Sequence, residues 1–350
     1  MSRVFVAMSG GVDSSVAAAL AVRDGHDVTG VTMQLWPEGD DEGGCCSVDA
    51  VRDARRVSDA LGIPHYTLSF RECFEDAVVG PFCDAYAAGI TPNPCIACND
   101  VVKFAELWRR VELQGADFLA TGHYARVVER GGEVWLARGL DASKDQSYFL
   151  YRLDAAQLAR TMFPVGDLLK SDVRVLAREL GLPTADRAES QEICFVPGDD
   201  VTSFLRARRP EAFVPGDVVD RSGAVVGSHD GTPSFTVGQR RGIGIGGGGG
   251  RRYVTAVDPA TSTVTVGSRE DLRVTAIRAA DPVWRGGEGP RDAGVEVRYR
   301  GMPVPAVVEV ATGVMTVALL EPVEGVAPGQ AVVAYDGDVV LGGGMIEEAR

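Results

Sequence analysis

The apolar positions of the chain fall into two regimes. Up to about residue 205, short unbroken apolar runs alternate with longer stretches of helical period. From about residue 213 the signals are short alternating segments and Gly/Pro turns, with no long helix. Val4 to Met8 (VFVAM) is unbroken, as for a strand buried on both faces of a parallel sheet. Ser9-Gly10-Gly11 then turns the chain into a helix carried by Val16, Ala17, Ala18, Ala19, Leu20 and Val22, with Asp13 or Ser14 predicted as its cap. Residues 27–35 predict a second strand, with Met33 near its end. Residues 47–61 predict an amphipathic helix stopped by Gly62, and 65–70 a third strand. Helices are predicted at 73–88, 99–114, 154–160 and 172–180. Residues 117–120 predict a fourth buried strand running into Thr121-Gly122-His123, and 126–138 a hairpin turning at Gly131-Gly132. This alternation predicts an α/β fold with a doubly wound parallel sheet. The later segments predict a small β-rich central domain and a C-terminal β-barrel. The predicted division is 1–205, 206–270 and 271–350, with no internal repeat.

Length and composition narrow the class. A chain of 350 residues with 45% apolar content builds two or three domains, and no apolar run approaches the roughly 18 residues of a membrane span. The chain opens directly into its first strand, so no signal peptide is expected. Seven irregularly spaced cysteines point to thiol chemistry in a reducing compartment, hence a cytoplasmic protein. A net charge of −14 argues against non-specific nucleic-acid binding but leaves room for a local basic face. Arginines cluster at Arg206, Arg208 and Arg209, at Arg240 and Arg241, at Arg251 and Arg252, and at Arg298 and Arg300.

Candidate chemistry sits in three stretches. A glycine turn feeding a helix N-terminus is an anion site suited to phosphate. The turn here lacks the Gly-Lys-Ser/Thr ending of a P-loop and the G-x-G-x-x-G of a dinucleotide fold. Its Ser-Gly-Gly-Val-Asp-Ser resembles the PP-loop of ATP pyrophosphatases. In residues 91–99 (TPNPCIACN) two prolines stiffen a loop predicted to deliver Cys98 and Asn99 to the start of a helix, where the dipole lowers a thiol pKa. The third stretch, Glu189 to Phe195 (ESQEICF), flanks Cys194 with apolar side chains. Cys45-Cys46 is a poor second pair for a structural zinc, and Cys73 and Cys83 read as ordinary buried cysteines.

These motifs occur in order with ATGHY (120–124), KDQSYFL (144–150), VGQRRG (237–242) and LGGG (341–344), and together the chain resembles the bacterial tRNA-specific 2-thiouridylase family along its whole length. The resemblance implies a PP-loop, HUP-like domain, a central domain and a β-barrel. It also implies ATP-dependent sulfur insertion at C2 of the wobble uridine of tRNA. Ala7, Met8, Ser9, Gly10, Gly11, Val12, Asp13 and Ser14 would hold the phosphates, and Met33 and Gly122 the adenosine side. Asp13 would orient Mg²⁺ or the phosphates. Cys194 would carry the persulfide, and Cys98 would release the sulfur and leave a Cys98–Cys194 disulfide. Asn93, Pro94, Cys95, His123, Lys144, Asp145, Gln146, Arg298, Tyr299 and Gln330 would contact tRNA. The implied partners are tRNA and a sulfur-donor protein, a cysteine desulfurase or relay protein. A monomer with no membrane contact and no resident metal ligand is expected.

Many family members carry Asp where this chain has Cys95, which creates Cys95-x-x-Cys98. An Fe–S cluster on Cys95, Cys98 and Cys194 is therefore the alternative to the persulfide route, and the two exclude each other in one turnover. Two other readings stand beside the thiouridylase. One is another PP-loop enzyme, a different tRNA thiolase or a synthetase. The other is a non-catalytic RNA-binding protein.

Overall fold

The computed structural model describes residues 1–35, 48–188, 193–245 and 251–350. The predicted loop at 36–46 with Cys45-Cys46, residues 189–192 of the third motif, and the glycine run at 246–250 lie outside them. The chain divides into two compact units. One comprises Met1–Val78, Cys95–Asp199 and Asp338–Val340. The other comprises Val79–Pro94, Asp200–Gly337 and Leu341–Arg350.

The first unit is the predicted parallel α/β fold. Its strands are β1 (Arg3–Ala7), β2 (Asp27–Gln34), β3 (His65–Ser69) and β4 (Phe118–Thr121), followed by the hairpin β5 (Ala125–Arg130) and β6 (Glu133–Arg138), and by the short β7 (Thr161–Met162). The five-stranded sheet has the order β3-β2-β1-β4-β7, and its pairings are all parallel. Val4 and Val6 are completely buried, which is why the first strand reads as an unbroken apolar run. Helix α1 (Val12–Arg23) follows β1, and its alanines let it lie close in a core with Val16, Ala17 and Ala18 fully buried. Helix α2 (Val48–Leu61) buries Ala54 and Val57 in the same core. The chain moves from β1 outward to β2 and β3, then returns across β1 to start β4. The sheet therefore reverses direction between β1 and β4, and in an open α/β sheet the ligand crevice lies at that switch point, beyond the carboxyl ends of the strands. The β5–β6 turn has positive φ at both Gly131 and Gly132 (64° and 82°), the tight hairpin turn that the Gly-Gly pair predicted.

The second unit holds two β structures. Strands β8 (Gly216–Asp220), β9 (Val225–His229), β10 (Tyr253–Asp258) and β11 (Thr263–Gly267) form a sheet in the order β10-β11-β8-β9 over Val218, Phe235, Val254, Val264 and Val266. The strands β12 (Arg273–Trp284), β13 (Arg291–Glu296), β14 (Val304–Ala311), β15 (Val314–Glu324), β16 (Ala331–Asp336) and β17 (Val339–Ala349) run in the order β12-β15-β14-β13-β16-β17. Pairing of β12 with β17, from Ile277↔Ala349 to Trp284↔Gly342, closes these six into the predicted barrel and removes its free edges.

Candidate functional site

The N-terminus of α1 is built as an anion cradle. Its N-cap is Gly11 (φ −85°, ψ 161°), which makes no side-chain capping bond. This corrects the expected cap at Asp13 or Ser14: those residues lie inside the first turn, two and three residues past the capping position. Ser14 Oγ instead donates to Gly11 O at 3.1 Å and accepts from Ser9 N at 3.2 Å, which ties the turn to itself. With no N-cap side chain in the way, the positive helix end remains available to an anion. Two glycines are demanded by position. Gly10 has φ +70° and a Cβ there would lie 2.4 Å from Ala50 O. A Cβ on Gly122, just past β4, would lie 2.6 Å from Ser14 N. Met33 is buried in β2, on the other side of β1 from β4.

Asp13 does not face water alone. Lys170 Nζ donates to both of its carboxylate oxygens at 2.6 and 2.8 Å, and Tyr124 Oη donates to Oδ1 at 2.8 Å. Arg187 donates to Gly10 O at 2.9 Å and also pairs with Asp53 of α2. Lys170 and Arg187 were not singled out from the sequence, and Tyr124 entered only within its motif. One signal was present for Lys170. Only Lys103, Lys144 and Lys170 are lysines among 35 basic residues.

Cys98 occupies different surroundings from those expected. The helix that carries Cys98 begins earlier than predicted, with an α turn at Pro94–Ala97, a π-type stretch at Cys98–Leu107 and a last α turn at Trp108–Glu112. Pro94 supplies the start, since a first-turn proline loses no helical hydrogen bond. Cys95, exposed, therefore lies in the first turn and Cys98, half-buried, lies one turn inside. The dipole falls off within the first turn, so it does not act on Cys98 as anticipated. Cys98 opens a π stretch instead, a geometry frequent at functional sites. Its neighbours are pinned: Asn99 Nδ2 donates to Phe149 O at 3.4 Å, Lys103 Nζ donates to Asn99 Oδ1 at 2.9 Å, and Arg152 pairs with Asp100 at 2.5 Å. Cys194 is half-buried beside Phe195, whose ring meets Phe74 edge-on. Cys83 is buried, and Cys73 is half-buried with burial and the Glu106 carboxylate pushing its thiol pKa up.

Family comparison covers the chain from end to end. A family model described as "tRNA methyl transferase HUP domain" matches residues 2–198, a "tRNA methyl transferase PRC-barrel domain" matches 202–268, and an "Aminomethyltransferase beta-barrel domain" matches 274–346. The tRNA-specific 2-thiouridylase MnmA of Geobacter metallireducens is 48% identical over 99% of this chain and 97% of its own length. That of Desulforamulus reducens is 47% identical over 99% and 97%. The chain belongs to the MnmA family of tRNA-specific 2-thiouridylases. A solved 4-thiouridine synthetase–RNA complex with bound ATP covers 60% of this chain and 51% of its own, at 16% identity and a TM-score of 0.36.

Other positions picked out by the MnmA-family motifs have mixed surroundings. Asp145 is buried, accepting from Arg138, Gly139 N and Ser147, and Gln146 Oε1 accepts from Tyr124 N at 3.0 Å. Lys144 is half-buried. In the second unit, Gln330 Nε2 donates to Thr91 O at 2.9 Å, two residues before Asn93-Pro94. Arg298 is exposed, Tyr299 half-buried, and the Arg300 guanidinium stacks on the Tyr299 ring. Of the arginine clusters, Arg209 is engaged by Asp84 at 2.9 Å, whereas Arg240 and Arg241 are exposed with no ion pair among the described residues.

The same residues decide which groups the site can hold. A phosphate fits the uncapped, glycine-lined end of α1. Among the described residues no three His, Cys, Asp or Glu side chains gather as a metal site, so Cys95, Cys98 and Cys194 do not form the three-thiolate set that a cluster requires. Asp13 is the one carboxylate of the loop. Mg²⁺ would take most of its oxygens from phosphate and water, as that ion ordinarily does.

His123 is a buried, neutral ring. Its Nδ1 pairs with Thr121 Oγ1 at 2.8 Å between Phe104 and Phe163, and burial, aided by the Lys103 charge, holds its pKa well below the ordinary 6.5. With the folded pKa depressed, the group's stability contribution is full above about pH 6.5 and is lost as pH falls below it. Between about pH 7 and pH 5 the wild type should lose up to about 1.4 kcal/mol per pH unit for each proton gained only on unfolding. His123→Asn should melt with a shallower dependence of Tm on pH. Equal slopes for the two proteins would assign the effect to another group.

Proposed function

We propose that the chain is a cytoplasmic, ATP-dependent tRNA 2-thiouridylase acting on C2 of the wobble uridine. The observation that carries this reading is the uncapped glycine loop at the β1/β4 switch point in a chain 48% identical over its length to a tRNA-specific 2-thiouridylase. The carbonyl oxygen at C2 is a poor leaving group. Its attack on the α-phosphate of ATP expels pyrophosphate and leaves an O-adenylyl uridine. The α1 terminus and the Ser9–Ser14 turn bind and orient the phosphates, with Mg²⁺ offsetting charge on the phosphate chain when bound. The terminal sulfur of a Cys194 persulfide, loaded by a sulfur-donor protein, attacks C2 and AMP departs. Cys98 thiolate then attacks Cys194 Sγ. The Sγ–S bond breaks, its electron pair stays with the transferred sulfur as the thiocarbonyl forms, and a Cys98–Cys194 disulfide remains for a thiol reductant to open.

Incubation with ATP, Mg²⁺, a persulfide donor and tRNA, followed by nucleoside mass spectrometry, tests the reading. Absence of 2-thiouridine would sink it. Pyrophosphate release without sulfur incorporation would favour another PP-loop enzyme, and neither product would favour a non-catalytic RNA-binding protein.

For a chain with net charge −14, tRNA affinity has to come from a restricted basic face. We assign Arg240 and Arg241 to it, with Arg206 and Arg208, whose guanidiniums lie over the Phe213 and Phe204 rings. Arg209 contributes less because Asp84 already engages it. Replacing both Arg240 and Arg241 with Ala should weaken tRNA binding and leave ATP binding intact. The slope of log affinity against log salt should fall by roughly 0.7–0.9 for each tRNA phosphate that the protein no longer neutralises. An unchanged slope would move the face elsewhere.

A further inference from the structure

Asp13 presents a difficulty for the nucleotide reading. It lies in the first turn of α1, beside the anion cradle, where an unneutralised carboxylate would repel a triphosphate. Lys170 answers that difficulty, with Nζ 2.6 and 2.8 Å from the two carboxylate oxygens. We propose that Lys170 is a nucleotide-binding side chain whose ammonium is shared between Asp13 and a phosphate oxygen of ATP. The inference rests on the ATP reading of the loop and adds the residue that contacts the phosphate chain.

Four observations support the sharing. Lys170 is only 8% exposed, so water provides little of its solvation and an anion arriving at the cradle becomes a natural further partner. Tyr124 Oη donates to Asp13 Oδ1 independently, so the carboxylate keeps a donor when the ammonium turns toward phosphate. The backbone of Lys170 is fixed, its N–H donating to Asp141 Oδ2 at 2.9 Å, which leaves the side chain as the part that moves. The residue type also fits. In a chain that uses arginine for nearly all of its 35 basic positions, this one is lysine. A guanidinium fork would lock onto Asp13 in bidentate fashion, whereas an ammonium is a point charge on a flexible stem that two anions can share.

The alternative is that Lys170 only neutralises Asp13. Calorimetric titration of the full chain with ATP and with adenosine separates the two. In Lys170→Met the affinity for ATP should fall about ten- to a hundredfold, the worth of one charge-assisted hydrogen bond, while that for adenosine stays. Lys170→Met strands the Asp13 charge and can fail to fold, so the deciding comparison uses Asp13→Asn and Asp13→Asn/Lys170→Met, the latter lacking both charges. The double variant should bind ATP at least about tenfold more weakly than Asp13→Asn alone. Agreement between those two within about twofold, the ordinary scatter of independent effects, would reduce Lys170 to a counter-ion and overturn the proposal. A wild type that binds neither ATP nor adenosine would overturn the nucleotide reading itself. A wild type that binds ATP while the double variant matches Asp13→Asn would overturn only the role of Lys170.

Discussion

Cys194→Ser should yield no 2-thiouridine while still releasing pyrophosphate from ATP in the presence of tRNA. Activation of the C2 oxygen needs the phosphate cradle and a bound uridine, and neither requires a thiol at residue 194. Sulfur transfer does require it, because a serine oxygen cannot carry a persulfide. Removing a covalent carrier of this kind should cost about 10⁴-fold or more in product formation. Cys98→Ser should block a later step. The persulfide sulfur can still reach C2, but no thiolate opens the bond to Cys194 Sγ, so a protein–tRNA adduct releasable by added thiol should accumulate. The two variants thus differ in what they trap, which separates carrier from resolving thiol. Cys73→Ser should have little effect, since its raised pKa keeps that thiol protonated. Normal thiolation by Cys194→Ser would remove the persulfide role from this residue. If instead Cys95→Ala lost activity together with an oxygen-sensitive iron–sulfur centre, the cluster route would replace it.

How much of this was legible in the sequence depends on how local each cause is. The parallel sheet was legible because β1 is buried on both faces and must be apolar throughout, and because β1, β2 and β3 are each followed by a helical period. The hairpin was legible because Gly131-Gly132 serves a turn that needs positive φ twice. The cap of α1 was misplaced for an instructive reason. Asp and Ser are good caps by type, yet here they stand past the capping position, and long-range partners claim Asp13. In the sequence Cys98 reads too near a helix start because Pro92 and Pro94 both suit a stiff loop, whereas Pro94 is also a good first helical residue. Lys170 and Arg187 lie 157 and 177 residues from their partners in the loop, and no periodicity or spacing rule spans such a distance. Only the scarcity of lysine hinted at one of them.

Gly122→Ala should weaken ATP binding about a hundredfold in a protein that still folds. Two glycines of the first unit allow the cause to be isolated. Gly122 does not adopt a left-handed φ, so conformation alone would admit alanine there; space alone forbids it, with Ser14 N at 2.6 Å and Asp13 C at 2.7 Å from the added Cβ. Both atoms belong to the backbone of the α1 first turn, so they cannot rotate away as a side-chain end would. The end of β4 and the helix N-terminus must separate, at about 1–3 kcal/mol of overpacking cost, which a folded domain tolerates. The cradle tolerates it less. Its donors act only when aimed at the phosphates, and a displacement on the order of 1 Å costs about 10²-fold. Gly25 provides the opposite case, with φ +80° and nothing within 4 Å of its added Cβ. Gly25→Ala should therefore lose about 1–2 kcal/mol to backbone strain while binding ATP normally. The two variants would then share a loss of stability and differ only in nucleotide affinity. Wild-type ATP affinity in a folded Gly122→Ala protein would mean that the first turn of α1 is not where the phosphates bind.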